Sequence, residues 1–139
     1  MTFVYDAGAL IAAERNDRAI WADHRVRLEL GVVPITTAPV IAQVSRSDRQ
    51  AQLRRFLRGC EIVPFAPAHA HAVGALLGAT GSADAIDAHV VWVAGTSGAS
   101  VLSSDTDDLP PIAAKLASPV RIVAADDEPS SAPPAGFEV

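Results

Sequence analysis

Five aspartates stand where carboxylates can do chemistry. Asp6 follows the first strand-like run, residues 2–5, and Asp105 follows a later one, residues 100–103. Asp87 lies early in the helix-like stretch leading into that later run. Asp84 precedes Asp87 by three residues and shares its helix face, and Asp107 shares the loop of Asp105. In open α/β sheets, ligands bind outside the carboxyl ends of the strands, near the point where the strand order reverses. Asp6 and Asp105 therefore converge there if their strands are neighbours. Ionised carboxylates held together raise one another's pKa, and a hard divalent cation with oxygen ligands relieves that conflict. Mg²⁺ or Mn²⁺ in such a place lowers the pKa of a bound water and stabilises charge on a phosphodiester being cleaved. The competing explanation is helix N-capping, because Asp84, Asp105 and Asp107 all precede or open helices. Asp6, set among apolar neighbours, is harder to explain that way. The two readings stay open residue by residue, and the case for a site rests on the joint placement.

The elements that must position these carboxylates alternate strand and helix. Strands are expected over residues 2–5 (TFVY), 32–36 (VVPIT), 61–64, 100–103 (SVLS) and 120–123, with Pro34 placing the second nearer a sheet edge. Helices are expected over 7–14, then from an Asp17 cap through Leu30 to a stop at Gly31. Thr37 caps a helix over 39–46, with Pro39 in its permitted first turn. Asp48 caps the next, which ends at Gly59. Further helices are expected over 67–77, 84–94 (ended by Gly95) and 111–117. Strands separated by helices imply parallel pairing. The spacing therefore predicts an α/β domain over residues 1–124. Residues 125–139, rich in Pro, Ser and acid, read as a flexible acidic tail.

Composition narrows the class. The 139 residues suit one domain, and at 50% hydrophobic and 19% charged the chain is not intrinsically disordered. Its single cysteine, Cys60, excludes an internal disulfide, and no Cys/His spacing resembles a zinc site. No secretory signal and no membrane span is recognisable, so a cytoplasmic location is expected. Net charge is −5, but the tail holds −4 of it (Asp126, Asp127, Glu128 and Glu138, with no basic residue), leaving −1 on residues 1–124. A weakly acidic body argues against nucleic acid as a partner unless a bound cation inverts the local field.

Three segments carry a family resemblance. VYDAGALIA (residues 4–12) resembles the opening strand, metal-binding aspartate and small-residue turn of the PIN-domain ribonucleases, and within them of the VapC-like toxins of type II toxin–antitoxin pairs. DAHVVWVAGTSGASVLSSDTDDL (87–109) resembles the later acidic residue, helix, strand and acidic loop of that family. TTAPVIAQVSR (36–46) resembles the helix that usually supplies a second acidic ligand. The resemblance implies a three-layer fold with a central, mostly parallel five-stranded sheet flanked by helices. It implies a metal-dependent endoribonuclease acting on RNA, with Asp6, Asp87 and Asp105 as ligands of Mg²⁺ or Mn²⁺ and Asp84 and Asp107 in support. It also implies an antitoxin partner and a homodimer. One departure stands out: where the family commonly has Glu, this chain has Gln43, whose amide oxygen brings no charge. Asp84 is a candidate for supplying that charge. A non-catalytic module of the same fold, binding RNA or antitoxin and weakened by Gln43, is the alternative.

Other residues divide between surface and core. Arg46, Arg49, Arg54, Arg55 and Arg58 form one basic cluster and Arg15, Arg18, Arg25 and Arg27 another. Such clusters suit phosphate or simply a solvated helix face. Arg46 and Arg49 are the candidates for RNA binding, Arg46 because it ends the helix bearing Gln43 and is expected near the acidic pocket. Leu10, Ile11, Ile20, Trp21 and Leu28 exceed what one small sheet needs and suggest either core or a partner surface. His24 reads as surface, His89 as packing, and Cys60 as a small buried hydrophobe. A phosphoryl-acceptor domain also places Asp after its first strand. The dehalogenase type wants a second Asp at position 8, which is Gly8, and the receiver type wants a late-strand lysine, whereas the one lysine, Lys115, falls in a helix stretch.

Overall fold

The computed structural model describes residues 2–103 and 122–124. Asp105, Asp107, the expected helix over 111–117 and the acidic tail lie outside them. The described elements are β1 (Phe3–Tyr5), α1 (Ala7–Glu14), α2 (Arg18–Glu29), β2 (Ile35–Thr37), α3 (Ala38–Val44), α4 (Ala51–Leu57), β3 (Glu61–Val63), α5 (Pro67–Thr80), α6 (Ala85–Ser97), β4 (Ser100–Ser103) and β5 (Ile122–Ala124). The five strands form one sheet in the order β3-β2-β1-β4-β5, every pair parallel. The order reverses at β1 and β4, which makes their carboxyl ends the crevice where ligands of such sheets bind.

Local signals explain most boundaries. The Asp17 carboxylate accepts from the backbone N–H groups of Ala19 and Ile20 and starts α2, and Gly31, at φ +78°, lets the chain turn after it. Thr37 Oγ1 accepts from Val40 N and opens α3 with proline in its first turn. Val4, Val101 and Leu102 from the central strands, Leu10 from α1 and Val90 and Val91 from α6 are fully buried in one core.

Several expectations are corrected. β2 is not at an edge but lies between β3 and β1. Pro34 precedes the strand, so its missing N–H falls outside the ladder, while its carbonyl accepts from Glu61 N. α4 starts at Ala51, not after Asp48. The Gln50 side chain accepts from the N–H groups of Arg46 and Ser47 and donates to the Val44 carbonyl, which folds residues 45–50 into a loop. Glu14, from the end of α1, then accepts from Leu53 N and caps α4 from a distance. α5 continues past Leu77 to Thr80, and α6 runs through Gly95 to Ser97. Their true stops are Gly81 (φ +73°) and Gly98 (φ +65°).

Candidate functional site

Asp6 is the residue that leaves β1. Its backbone N–H donates to the Leu102 carbonyl at 3.0 Å, continuing the β1–β4 pairing, and this sets Asp6 beside Ser103 at the carboxyl end of β4. The Ser103 hydroxyl donates to Asp6 Oδ2 at 2.9 Å, joining residues ninety-seven apart in the chain. Asp6 is 4% exposed and Ser103 is wholly buried. Although Asp6 stands at the N-cap position of α1, its side chain makes no capping bond. The capping explanation thus does not account for this carboxylate. A buried carboxylate is costly unless charge and hydrogen bonds compensate it.

Asp87 lies in the first turn of α6 and is 7% exposed. Asp84, by contrast, is exposed and caps α6, its Oδ1 accepting from Asp87 N at 3.0 Å. The two carboxylates, three apart in sequence, therefore do different things: Asp84 holds the helix start, and Asp87 is carried inward by it. Asp6 and Asp87 supply hard oxygen donors of the kind Mg²⁺ or Mn²⁺ prefers. Among the described residues no three His, Cys, Asp or Glu side chains stand together as a metal cage. The third sequence candidate, Asp105, lies outside them, as does Asp107. Ser103 was not singled out in the sequence. A serine at a strand end carries no signal until the pairing of β4 with β1 is known.

Gln43 and Arg46 come together in a cleft of ≈ 280 Å³ between α1, α3 and α4, with Leu10, Ile11, Glu14 and Gln50 among the lining residues and Asp6 not. Arg46 donates to the Ser45 carbonyl, and Arg46 and Arg49 are both exposed. A second cleft, ≈ 630 Å³, runs along α2 and the end of α4. It is lined by Arg18, Arg25 and Arg55 with Trp21, His24 and Gly59. Arg55 lies over the Trp21 ring at 4.9 Å. All nine arginines of the described residues fall between positions 15 and 58; eight are exposed and Arg27 is buried, so the basic surface of these residues belongs to α1–α4 and their loops.

The floor of that cleft corrects the placing of His24 at the surface, since it is 3% exposed. Arg27 Nη1 donates to the Tyr5 hydroxyl at 3.0 Å, which in turn shares a hydrogen bond with His24 Nδ1 at 3.0 Å. His24 also stacks on Phe56, with ring centroids 4.0 Å apart. Burial, aided by the nearby Arg27 cation, pushes the imidazole down to about 4, although the Phe56 backbone pulls the other way. Of the apolar residues offered for a partner surface, Leu10 and Ile20 are core, whereas Ile11 and Leu28 remain exposed. Trp21 is half-buried, its Nε1 donating to the Ala13 carbonyl. On α6, His89 is fully buried as expected. Burial lowers its pKa, with His69 adding to the effect. Cys60 is half-buried, and burial pushes its thiol up to about 12, which makes it a poor nucleophile.

No protein-family model matches the sequence, and neither does any curated protein. Solved structures do match. VapBC2 from Rickettsia felis, in a structure bound to a DNA fragment from their promoter, superposes with a TM-score of 0.68 at 15% identity, covering 89% of this chain and 98% of that one. PAE2754 from Pyrobaculum aerophilum superposes with a TM-score of 0.59 at 19% identity, covering 91% and 94% respectively. At these identities the likeness is one of fold. No helix among the described residues is long and apolar enough to cross a membrane. In fold, the chain is similar to VapC-like PIN domains, as the resemblance of its segments implied.

Proposed function

We propose that this chain is a divalent-metal-dependent endoribonuclease and the toxin of a type II toxin–antitoxin pair. The observation that carries this reading is Asp6: a buried carboxylate, not spent on capping, bonded by Ser103 at the switch point of a parallel sheet. Asp6 and Asp87, with Asp105, would hold Mg²⁺ or Mn²⁺, and Ser103 fixes the orientation of Asp6. When bound, the cation makes a water more acidic and neutralises charge on the cleaved phosphodiester. Asp84 supports the site by holding the start of α6, and Asp107, in the sequence that follows β4, is the other supporting candidate. Gln43 brings no charge, and exposed Arg46 and Arg49 would grip the RNA backbone. The arginine-lined cleft on α2 and the exposed Ile11 and Leu28 suit a protein partner carrying acid and apolar side chains, the antitoxin. The likeness of fold to VapBC2, solved on a fragment of promoter DNA, supports the toxin–antitoxin reading.

The purified chain should cleave single-stranded RNA with added Mn²⁺ or Mg²⁺ and stop on chelation. Asp6→Asn should abolish cleavage while a circular-dichroism melt shows the fold retained. Equal cleavage by the folded Asp6→Asn variant would refute the proposal.

A further inference from the structure

We propose that Phe65 is a stacking platform for a base of the RNA strand, beside the carboxylates. This rests on the ribonuclease reading and adds a binding residue to it. The strand register places the platform. Val4 pairs with Ile35, so Asp6 stands level with Thr37, and Thr37 pairs with Val63. Asp6, Thr37 and Val63 thus form one row along the carboxyl edge of the sheet, about 10 Å from end to end at two strand spacings. Phe65 comes two residues beyond Val63, on the same edge. It lies within reach of the nucleotides flanking a phosphodiester held at Asp6.

The ring is large, apolar and 42% exposed, although one face is already covered. It stacks on His89 with centroids 4.6 Å apart and planes 29° apart. Behind it, His69 Nδ1 meets His89 Nε2 at 3.2 Å, and the His69 ring packs at 4.5 Å from Trp92. His69 Nδ1 also accepts from Ala66 N, which ties this stack to the loop bearing Phe65. Pro64 and Pro67 bracket that loop and stiffen it, so little freedom is lost when a ligand binds. Residues 62–83 contain no Asp or Glu to repel phosphate, and the fourteen-residue helix α5 opens two positions after Phe65 with its positive end toward the same edge. Every base has a π-face, so such a platform grips RNA without reading its sequence.

The test uses the full chain in an Asp6→Asn background, which prevents cleavage, and a short fluorescein-labelled single-stranded RNA read by anisotropy. Adding Phe65→Ala should weaken binding about tenfold, the loss of one stacked base. Phe65→Leu still covers His89 but has no π-face, and should weaken binding equally; Phe65→Trp should restore it. Thermal melts confirm that each variant is folded. Should Phe65→Leu bind like the parent, the ring is only a cover for His89 and the proposal falls. If neither the background protein nor the wild-type chain under chelation binds RNA, the proposal falls, and the ribonuclease reading falls with it only if the wild-type chain also cleaves nothing. If Phe65-dependent binding persists but the wild-type chain cleaves nothing, the platform stands and hydrolysis is the part that fails.

Discussion

Tyr5 and Asp6 are neighbours in the chain, yet they end in two different kinds of buried polar environment. The Tyr5 hydroxyl joins Arg27 and His24 in a hydrogen-bonded set packed against Phe56 and Trp21. Those partners come from α2 and α4, and nothing in the set resembles a ligand for a hard cation. Asp6 meets Ser103 of β4 at the switch point, with oxygen donors that suit one. Burial of a polar group alone therefore does not mark function. On the proposed reading, position at the carboxyl edge and the type of donor do. The comparison predicts a double dissociation: damage at Asp6 removes activity and spares stability, whereas damage around Tyr5 removes stability and spares activity per folded molecule.

The largest expected effect is the loss, in Asp6→Asn, of the proposed metal-dependent cleavage. On the other side, Phe56→Ala removes a fully buried ring that contacts Tyr5, Trp21 and His24. It should cost about 3–5 kcal/mol of stability in urea unfolding, while the remaining folded protein keeps its specific activity. Gly59→Ala should cost less, about 1–3 kcal/mol. A Cβ there would stand 2.8 Å from Leu28 Cδ1 and 2.9 Å from His24 Nε2, and His24 is held by its bond to Tyr5. A Gly59→Ala variant as stable as the parent would mean that the α2–α4 contact is looser than described.

A gentler probe is pH. The His24 imidazole titrates near 6.5 when unfolded and at about 4 when folded, so the unfolded chain takes up its proton first as pH falls. The contribution of His24 to stability is complete above about 6.5, declines between about 6.5 and 4, and levels off below. Urea midpoints across that window should fall with pH, and His24→Gln should flatten part of the slope. An unchanged slope in that variant would mean that other groups carry the dependence.

How far the sequence could be read depended on how local the cause was. Asp17 and Thr37 cap the helices they precede because a cap needs only the next few residues. Asp48 does not cap the helix its position suggests, because Gln50 and the distant Glu14 organise that helix start. His24 looked exposed among charged neighbours, and its burial depends on Tyr5 and Phe56, nineteen and thirty-two positions away. That Asp6 is not a cap was legible from its apolar setting after a strand. Ser103 was not, because its role exists only once β4 lies beside β1. Asp84 and Asp87 could not be separated by spacing, since both fit the start of a helix; the capping bond of Asp84 and the burial of Asp87 distinguish them.

The central claim, that carboxylates far apart in the chain meet around one divalent cation, is tested most directly by anomalous diffraction from crystals soaked in Mn²⁺. The account predicts a manganese peak coordinated by Asp6 and Asp87, with Asp105 beside them, and no peak in Asp6→Asn crystals. Well-diffracting wild-type crystals with no manganese between those side chains, from protein that still cleaves RNA, would contradict it.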